Sequence, residues 1–311
     1  MKYHAYQYIV GIAIAVLTVT ACSSNDDELG SPTKVEFDFS IPQGLADAAT
    51  DNRIVELYNK YNTYFLYEYT NEQVTFGFQS GGSNMLNELD ISKPEINYVG
   101  KELDLIQKTF LDFYPDDFLK KNLPFKVYLA KDIVWNTPWG MTAYWAATTG
   151  DNCLICAWCD NRLESLTEQQ YYDFFDYVNR NYLTWLINGG KLAFPDAFFN
   201  VSDYTQEIYN GWNSYIYPDE CHVEWVYIPE AQVLEAGFLD SNYTWNASQS
   251  RSTDIENYLK YMRYFAPDSE QWQYYLSFPK VKEKYDILRN FMIATYGWDP
   301  AKLGAVSFPS N

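Results

Sequence analysis

Three cysteines recur at equal spacing in Cys153-Leu154-Ile155-Cys156-Ala157-Trp158-Cys159, and a fourth sits beside a histidine in Cys221-His222. Thiolates and imidazoles are the ligands of zinc and iron–sulfur sites, so this set could hold a metal. The cysteine segment reads as a strand, however, and alternation along a strand puts Cys153 and Cys159 on one side and Cys156 on the other. In an oxidising compartment such cysteines tend to pair, with Cys221 as a distant partner for one of them. A single disulfide, free buried thiols and a metal site are therefore the readings of Cys153, Cys156, Cys159 and Cys221. His222 lies between Glu220 and Glu224, where it could serve as a base or as a half-buried, hydrogen-bonded residue. Carboxylates are plentiful but no spacing singles out a pair; Asp116-Asp117 and Asp219-Glu220 read as solvated loop charges. There is no Gly-rich phosphate loop and no Gly-x-Ser-x-Gly elbow for a nucleophilic serine.

The elements that would carry these groups follow from periodicity. A helix is expected over 51–64, where Ile54, Val55, Leu57, Tyr58 and Tyr61 fall mostly on one face, followed by an extended stretch at 65–69. A second helix is expected over 101–114, stopped by Pro115, and a buried strand over 125–130 after Pro124. Residues 141–148 and 153–159 read as two strands joined by a turn at Gly150-Asp151-Asn152. Thr167 and Gln170 form a capping box that opens a long helix. Its apolar positions, Tyr171, Phe174, Phe175, Val178, Tyr182, Trp185 and Leu186, give the strongest periodic signal in the chain, and Gly189-Gly190 ends it. Helices are expected again over 254–264, 269–278 and 281–296. Strands grouped early and helices grouped late make the fold α+β, with an N-terminal mixed sheet and a helical C-terminal part.

Composition sets further bounds. The 311 residues carry a formal net charge of −19. Affinity for nucleic acid comes mainly from Lys and Arg on phosphates, so a nucleic-acid partner is excluded. Binding anionic lipid through a basic patch is excluded on the same ground. The aromatic load is heavy, with 29 Tyr, 19 Phe and 10 Trp. It suits either an aromatic core and rim or a surface on which sugar faces stack, with Trp135, Trp139, Trp212, Trp245 and Trp272 as candidates for the latter.

The N-terminus reads as an export signal. After Lys2, residues 8–21 are all apolar or small and uncharged, too short a run to span a bilayer as a helix but suited to a secretory signal. The run ends Val19-Thr20-Ala21-Cys22, which resembles the lipobox of bacterial lipoproteins. That resemblance implies cleavage after residue 21, lipidation of Cys22 by acyl chains such as palmitate, and attachment to a membrane. Residues 22–34 begin Cys22-Ser23-Ser24-Asn25-Asp26-Asp27-Glu28, a polar acidic stretch that reads as a flexible tether. It also resembles the acidic signal that directs some lipoproteins to the cell surface. Residues 35–311 are read as a single domain.

Several landmarks within that domain fall in a familiar order. They are Leu57-Tyr58-Asn59-Lys60-Tyr61-Asn62, the strand after Leu123-Pro124, the long amphipathic helix and Phe194-Pro195-Asp196-Ala197-Phe198. Gly211-Trp212, Glu235-Ala236-Gly237-Phe238, the polar 248–254 run into a helix, and 282–296 follow. Together they resemble the substrate-import-associated zinc metallohydrolase lipoproteins, a zinc metallopeptidase family encoded beside outer-membrane nutrient importers. The resemblance implies a zincin-like scaffold whose long helix carries His-Glu-x-x-His. Residues i and i+4 share a helix face, so both imidazoles reach one zinc while the Glu activates the bound water. The best register puts Arg180 and Thr184 at the two histidine positions and Asn181 at the Glu, and a shift of two residues gives Tyr182, Leu183 and Leu186 instead; neither supplies a usable ligand pair. The family's further carboxylate ligand falls near Thr253 and Asp254. With His4 and His222 the only histidines, no two-histidine site can form once residues 1–21 are removed.

The sequence thus leads to the expectation of a catalytically inactive lipoprotein on the outer membrane, facing the cell surface. It would need no cofactor and would assist an importer complex in capturing a peptide or glycan. Two alternatives stand beside it: a hydrolase with a rearranged site built on Asp254, His222 and Glu224, and a glycan-binding surface lipoprotein.

Overall fold

The computed structural model describes residues 39–75, 89–136, 140, 142–206, 215–216, 226–227, 231–239 and 250–308. The segments expected to be signal and tether, 1–21 and 22–34, lie outside the described residues, as do Cys22, Cys221, His222 and Glu224. Residues 41–311 form one compact unit.

Helix α1, Ala48–Tyr61, begins ahead of the expected Asp51 because Asp47 supplies a cap, accepting from the amides of Ala49 and Thr50. Asn62 ends it in the left-handed region. Strand β1 is Tyr64–Leu66, α2 is Asn71–Thr75 and β2 is Leu89–Ser92. A 3₁₀ turn leads into α3, Val99–Thr109, which stops short of the expected residue 114. Pro115 then opens α4, Asp116–Asn122. Asp116-Asp117, expected as loop charges, instead form its first turn, where the helix dipole favours negative charge. Asp116 is also engaged, accepting from the Tyr61 hydroxyl at 2.9 Å and pairing with Lys60 at 2.7 Å.

The strands β3 (Lys126–Leu129), β4 (Asp132–Asn136), β5 (Thr142–Trp145), β6 (Ala147–Thr149) and β7 (Cys153–Cys156) follow in close succession. They build two sheets. One is mixed, in the order β1-β3-β7-β6, with β1, β3 and β7 parallel and β6 antiparallel. The other, β2-β4-β5, is antiparallel throughout. The expected single strand over 141–148 is divided at Ala146, and its halves serve different sheets. The expected strand over 153–159 ends at Cys156, since Trp158 turns the backbone at a φ of 83°. All four residues of β7 are buried, as befits a strand covered on both faces, so alternation does not expose any cysteine.

Helix α5, Glu168–Asn188, has the expected capping box and ends at Gly189. It buries Phe174, Phe175, Val178, Tyr182, Leu183 and Leu186, and also two polar residues, Asp176 and Asn179. Asn179 receives the Tyr114 hydroxyl at 2.9 Å and donates to the carbonyls of Thr109 and Phe175, which ties α5 to α3. Next come α6 (Asp196–Asn200), the short antiparallel pair β8 (Tyr215–Ile216) and β9 (Val226–Tyr227), and α7 (Ala231–Glu235). The chain closes with α8 (Arg251–Tyr264), α9 (Glu270–Leu276), α10 (Pro279–Tyr296) and a 3₁₀ segment. Gly304 in that last segment lets the chain lie directly on the end of α8, since a Cβ there would fall 2.2 Å from the Phe265 carbonyl oxygen. The α+β arrangement, mixed sheet first and helices last, is the expected one. Its continuous core joins Leu103 and Phe110 of the first half to Tyr182, Leu259, Met262, Leu288 and Met292 of the second. Among the described residues no helix is long and apolar enough to cross a membrane.

Candidate functional site

Arg180, Asn181 and Thr184, which the sequence resemblance sets against His-Glu-x-x-His, lie on one stretch of α5. Arg180 lies over the ring of Tyr177, 4.9 Å from its centroid. Asn181 donates its amide to the Tyr177 carbonyl at 2.8 Å and to the Ala147 carbonyl of β6 at 3.2 Å. It therefore rivets the helix to the last strand of the mixed sheet. Arg180 and Thr184, one turn apart, line a cleft of about 110 Å³ between α5 and α8, with Leu183, Ile187, Glu256, Asn257, Leu259, Lys260 and Arg263.

The base of this cleft is fixed by a buried ion pair. Arg263 of α8 donates through Nε to Asp176 of α5 at 2.8 Å, and the Tyr264 hydroxyl reaches the other carboxylate oxygen at 3.3 Å. A guanidinium and a carboxylate both almost fully out of water hold each other strongly, because removing either would strand the other's charge. The pair ties α5 to α8 beside the cleft.

Asp254, matched by resemblance to the family's further ligand, does not join Arg180 and Thr184. It points away from the cleft into a closed pocket, where Lys284 of α10 donates to its Oδ2 at 2.5 Å. Tyr204 donates to the same oxygen, and Lys284 also reaches Ser202 Oγ at 3.3 Å. Lys284 is 0% exposed and Asp254 1%. Four rings surround the ammonium: Phe198 and Phe238 at 4.5 Å, Tyr258 at 5.2 Å and Tyr204 at 5.5 Å from their centroids. Ring faces attract a desolvated cation. Gly237, at a φ of 87°, lets the chain pass close to this pocket, since a Cβ there would lie 2.6 Å from Ser202 Oγ. Burial pushes the Asp254 carboxyl above its ordinary range and pulls Lys284 below its own, while the contact between them opposes both shifts.

These residues do not fit a zinc ion. Arg180 is a permanent cation, the Asn181 amide is engaged by backbone, and the carboxylate of Asp254 already holds an ammonium. Among the described residues no group of three or more His, Cys, Asp or Glu is placed to bind a metal. Cys153, Cys156 and Cys159 are buried free thiols, so no bridge joins any two of them. Burial pushes Cys153 up to about 12 and raises Cys156 and Cys159 as well. Glu102 of α3 is fully buried beside the Cys159 thiol, and burial raises its pKa well above the usual range. Of the tryptophans proposed for sugar stacking, Trp272 is fully buried and Trp135 is half-buried against Trp145. Trp139, Trp212 and Trp245 lie outside the described residues.

Sequence reading missed the two buried pairs that frame the site. Lys284 falls in the same stripe of α10 as Val281, Leu288 and Met292, and Asp176 falls inside the stripe of α5. A charged residue in an apolar stripe is the signal that could have found them.

The fold and site together define an α+β protein with a polar cleft between α5 and α8. No protein-family profile and no curated protein matches the sequence. A crystal structure from Bacteroides caccae, of a protein described as a candidate zinc-binding metallo-peptidase, resembles this chain distantly. The two share 15% identity with a TM-score of 0.44, over 82% of this chain and 88% of that one.

Proposed function

We propose that this chain is a non-catalytic, lipid-anchored protein of the outer-membrane surface, built on a zincin-like scaffold and engaged in nutrient capture for an importer. One observation carries the non-catalytic part. The motif positions hold Arg180, Asn181 and Thr184, and Asn181, where a general base would stand, fastens α5 to β6. An amide cannot accept a proton from zinc-bound water, and a guanidinium cannot ligate the metal. The anchoring part is supported by Cys22 at the end of an apolar export segment and by the acidic tether after it. The importer association is supported by the order of sequence landmarks.

Zinc content by elemental analysis and cleavage of an unfolded protein substrate test the first part. Less than stoichiometric metal and no cleavage are expected; stoichiometric zinc with proteolysis overturns it. Metabolic labelling with a fatty acid, lost in Cys22→Ala, tests the anchor. An unlabelled wild-type protein overturns that part.

A further inference from the structure

We infer that β5 is the contact surface for a second copy of this chain. Two copies pair their β5 strands antiparallel about a two-fold axis at Tyr144, which joins their β2-β4-β5 sheets into one continuous sheet.

Strand β5 bonds to β4 along one margin, and among the described residues no strand lies along the other. An antiparallel strand directs its N–H and C=O groups to the two sides by turns, so half of the backbone groups of β5 point away from β4. No backbone partner for these outward groups exists among the described residues. The opposite edge of the same sheet is guarded. Strand β2 carries Asp90 and runs into Lys93-Pro94, and charges and proline at an edge disfavour pairing with another strand. Strand β5, Thr-Ala-Tyr-Trp, has neither. From Ile133 to Gly150 the sequence holds no charged residue, and Tyr144 is 68% exposed.

Charge and the residues of the strand select the occupant. The net charge of −19 opposes contact between copies, and a neutral strand is where that opposition is least. A strongly charged partner has nothing on β5 to recognise. A two-fold axis perpendicular to the sheet keeps each side chain on its own face in both copies, as a closed dimer requires. Set at Tyr144, that axis brings the two Tyr144 side chains opposite one another. On the other face it puts Trp145 of each copy opposite Ala143 of the other, so large meets small. The sheet already uses this match, with Trp135 of β4 opposite Ala143 and its ring 5.3 Å from that of Trp145. Cross-strand aromatic pairs strengthen strand pairing. A four-residue strand makes a small interface, so the dimer is a weak one.

Sedimentation velocity of the full chain, loaded from about 1 μM to about 1 mM to cover weak association, tests this. A monomer–dimer equilibrium is expected. It should tighten several-fold as salt rises from roughly 0.05 M to 0.5 M, because screening relieves the repulsion between like-charged copies. Tyr144→Lys and Tyr144→Asp each set like charges opposite one another and should weaken association about tenfold, while an equal mixture of the two should recover it. Tyr144 is exposed, so neither variant should move the thermal midpoint, and recovery in the mixture shows that both are folded. A wild-type chain that stays monomeric over the whole range overturns the inference. So does association that weakens with salt, association that neither variant changes, or a mixture no more associated than its components. None of these outcomes bears on the non-catalytic reading, which zinc content and proteolysis test.

Discussion

Replacing Lys284 with methionine removes the cation paired with Asp254 while keeping most of the side-chain volume. The carboxyl would then lie among Phe198, Tyr204, Phe238 and Tyr258, with the Tyr204 hydroxyl its one hydrogen-bond donor among the described residues. It would be carried protonated. Asp254 ionises near its ordinary 3.8 in the unfolded chain. Each pH unit above that value then costs about 1.4 kcal/mol, so about three units to neutrality cost roughly 4 kcal/mol. Buried pairs broken by loss of one partner cost about 3–5 kcal/mol, which agrees. The sign follows from a raised folded pKa on an acid: the native state holds a proton that the unfolded state releases, so stability falls as pH rises from 3.8 toward the folded value. Lys284→Met should therefore lower the thermal midpoint by roughly 10 °C at pH 7 and by much less at pH 5. Asp254→Asn in the same chain should restore most of the loss, since it removes the charge and keeps an acceptor for Tyr204. Urea unfolding at the two pH values for wild type, both single variants and the double variant provides the measurement. A loss below about 1 kcal/mol at pH 7, typical of an exposed pair, would refute the reasoning. So would a double variant as unstable as Lys284→Met alone.

Three further outcomes are expected. Asn181→Ala strands the Ala147 carbonyl and should cost about 1–3 kcal/mol in urea unfolding; an unchanged midpoint would show that the rivet is not needed. Glu102→Met should stabilise the protein at pH 8 relative to wild type, with the gain shrinking toward pH 4.5, because burial raises the Glu102 pKa and its ionisation opposes folding only above its ordinary value. A gain that persists unchanged at pH 4.5 would point to packing rather than charge. Cys153, Cys156 and Cys159 should resist iodoacetamide in the native protein at pH 8 and react in urea, read by peptide mass mapping, since burial disfavours their thiolates. Rapid native labelling of any of them contradicts that.

Legibility in the sequence followed the range of the physics. The capping box of α5 and its apolar stripe are local, and both stand in the structure where the residues placed them. The division of 141–148 into β5 and β6 is not local. It depends on which neighbour each half pairs with, and β4 and β7 lie on either side in the sequence. Asp116-Asp117 reads as a loop until Lys60 and Tyr61, far back in the chain, are seen to meet it. Asp254 could be matched to a ligand position by its place in a family order. Only the packing of α10 against α6 and α7 shows that an ammonium already occupies it. Lysine is rarely fully buried, so sequence reading gives Lys284 to solvent by default.

The hold of Asn181 on Ala147 has a consequence beyond the cleft. In the register of β6 with β7, Ala146 bonds inward to Ala157, which turns the Ala147 carbonyl outward from the sheet. A strand at a sheet margin with such groups exposed is a template for another chain. Here the outward carbonyl is already taken by a side chain from α5, and the strand is only three residues long. That margin of the sheet offers little purchase for self-association, so this protein can be crowded without its β6 edges zipping together.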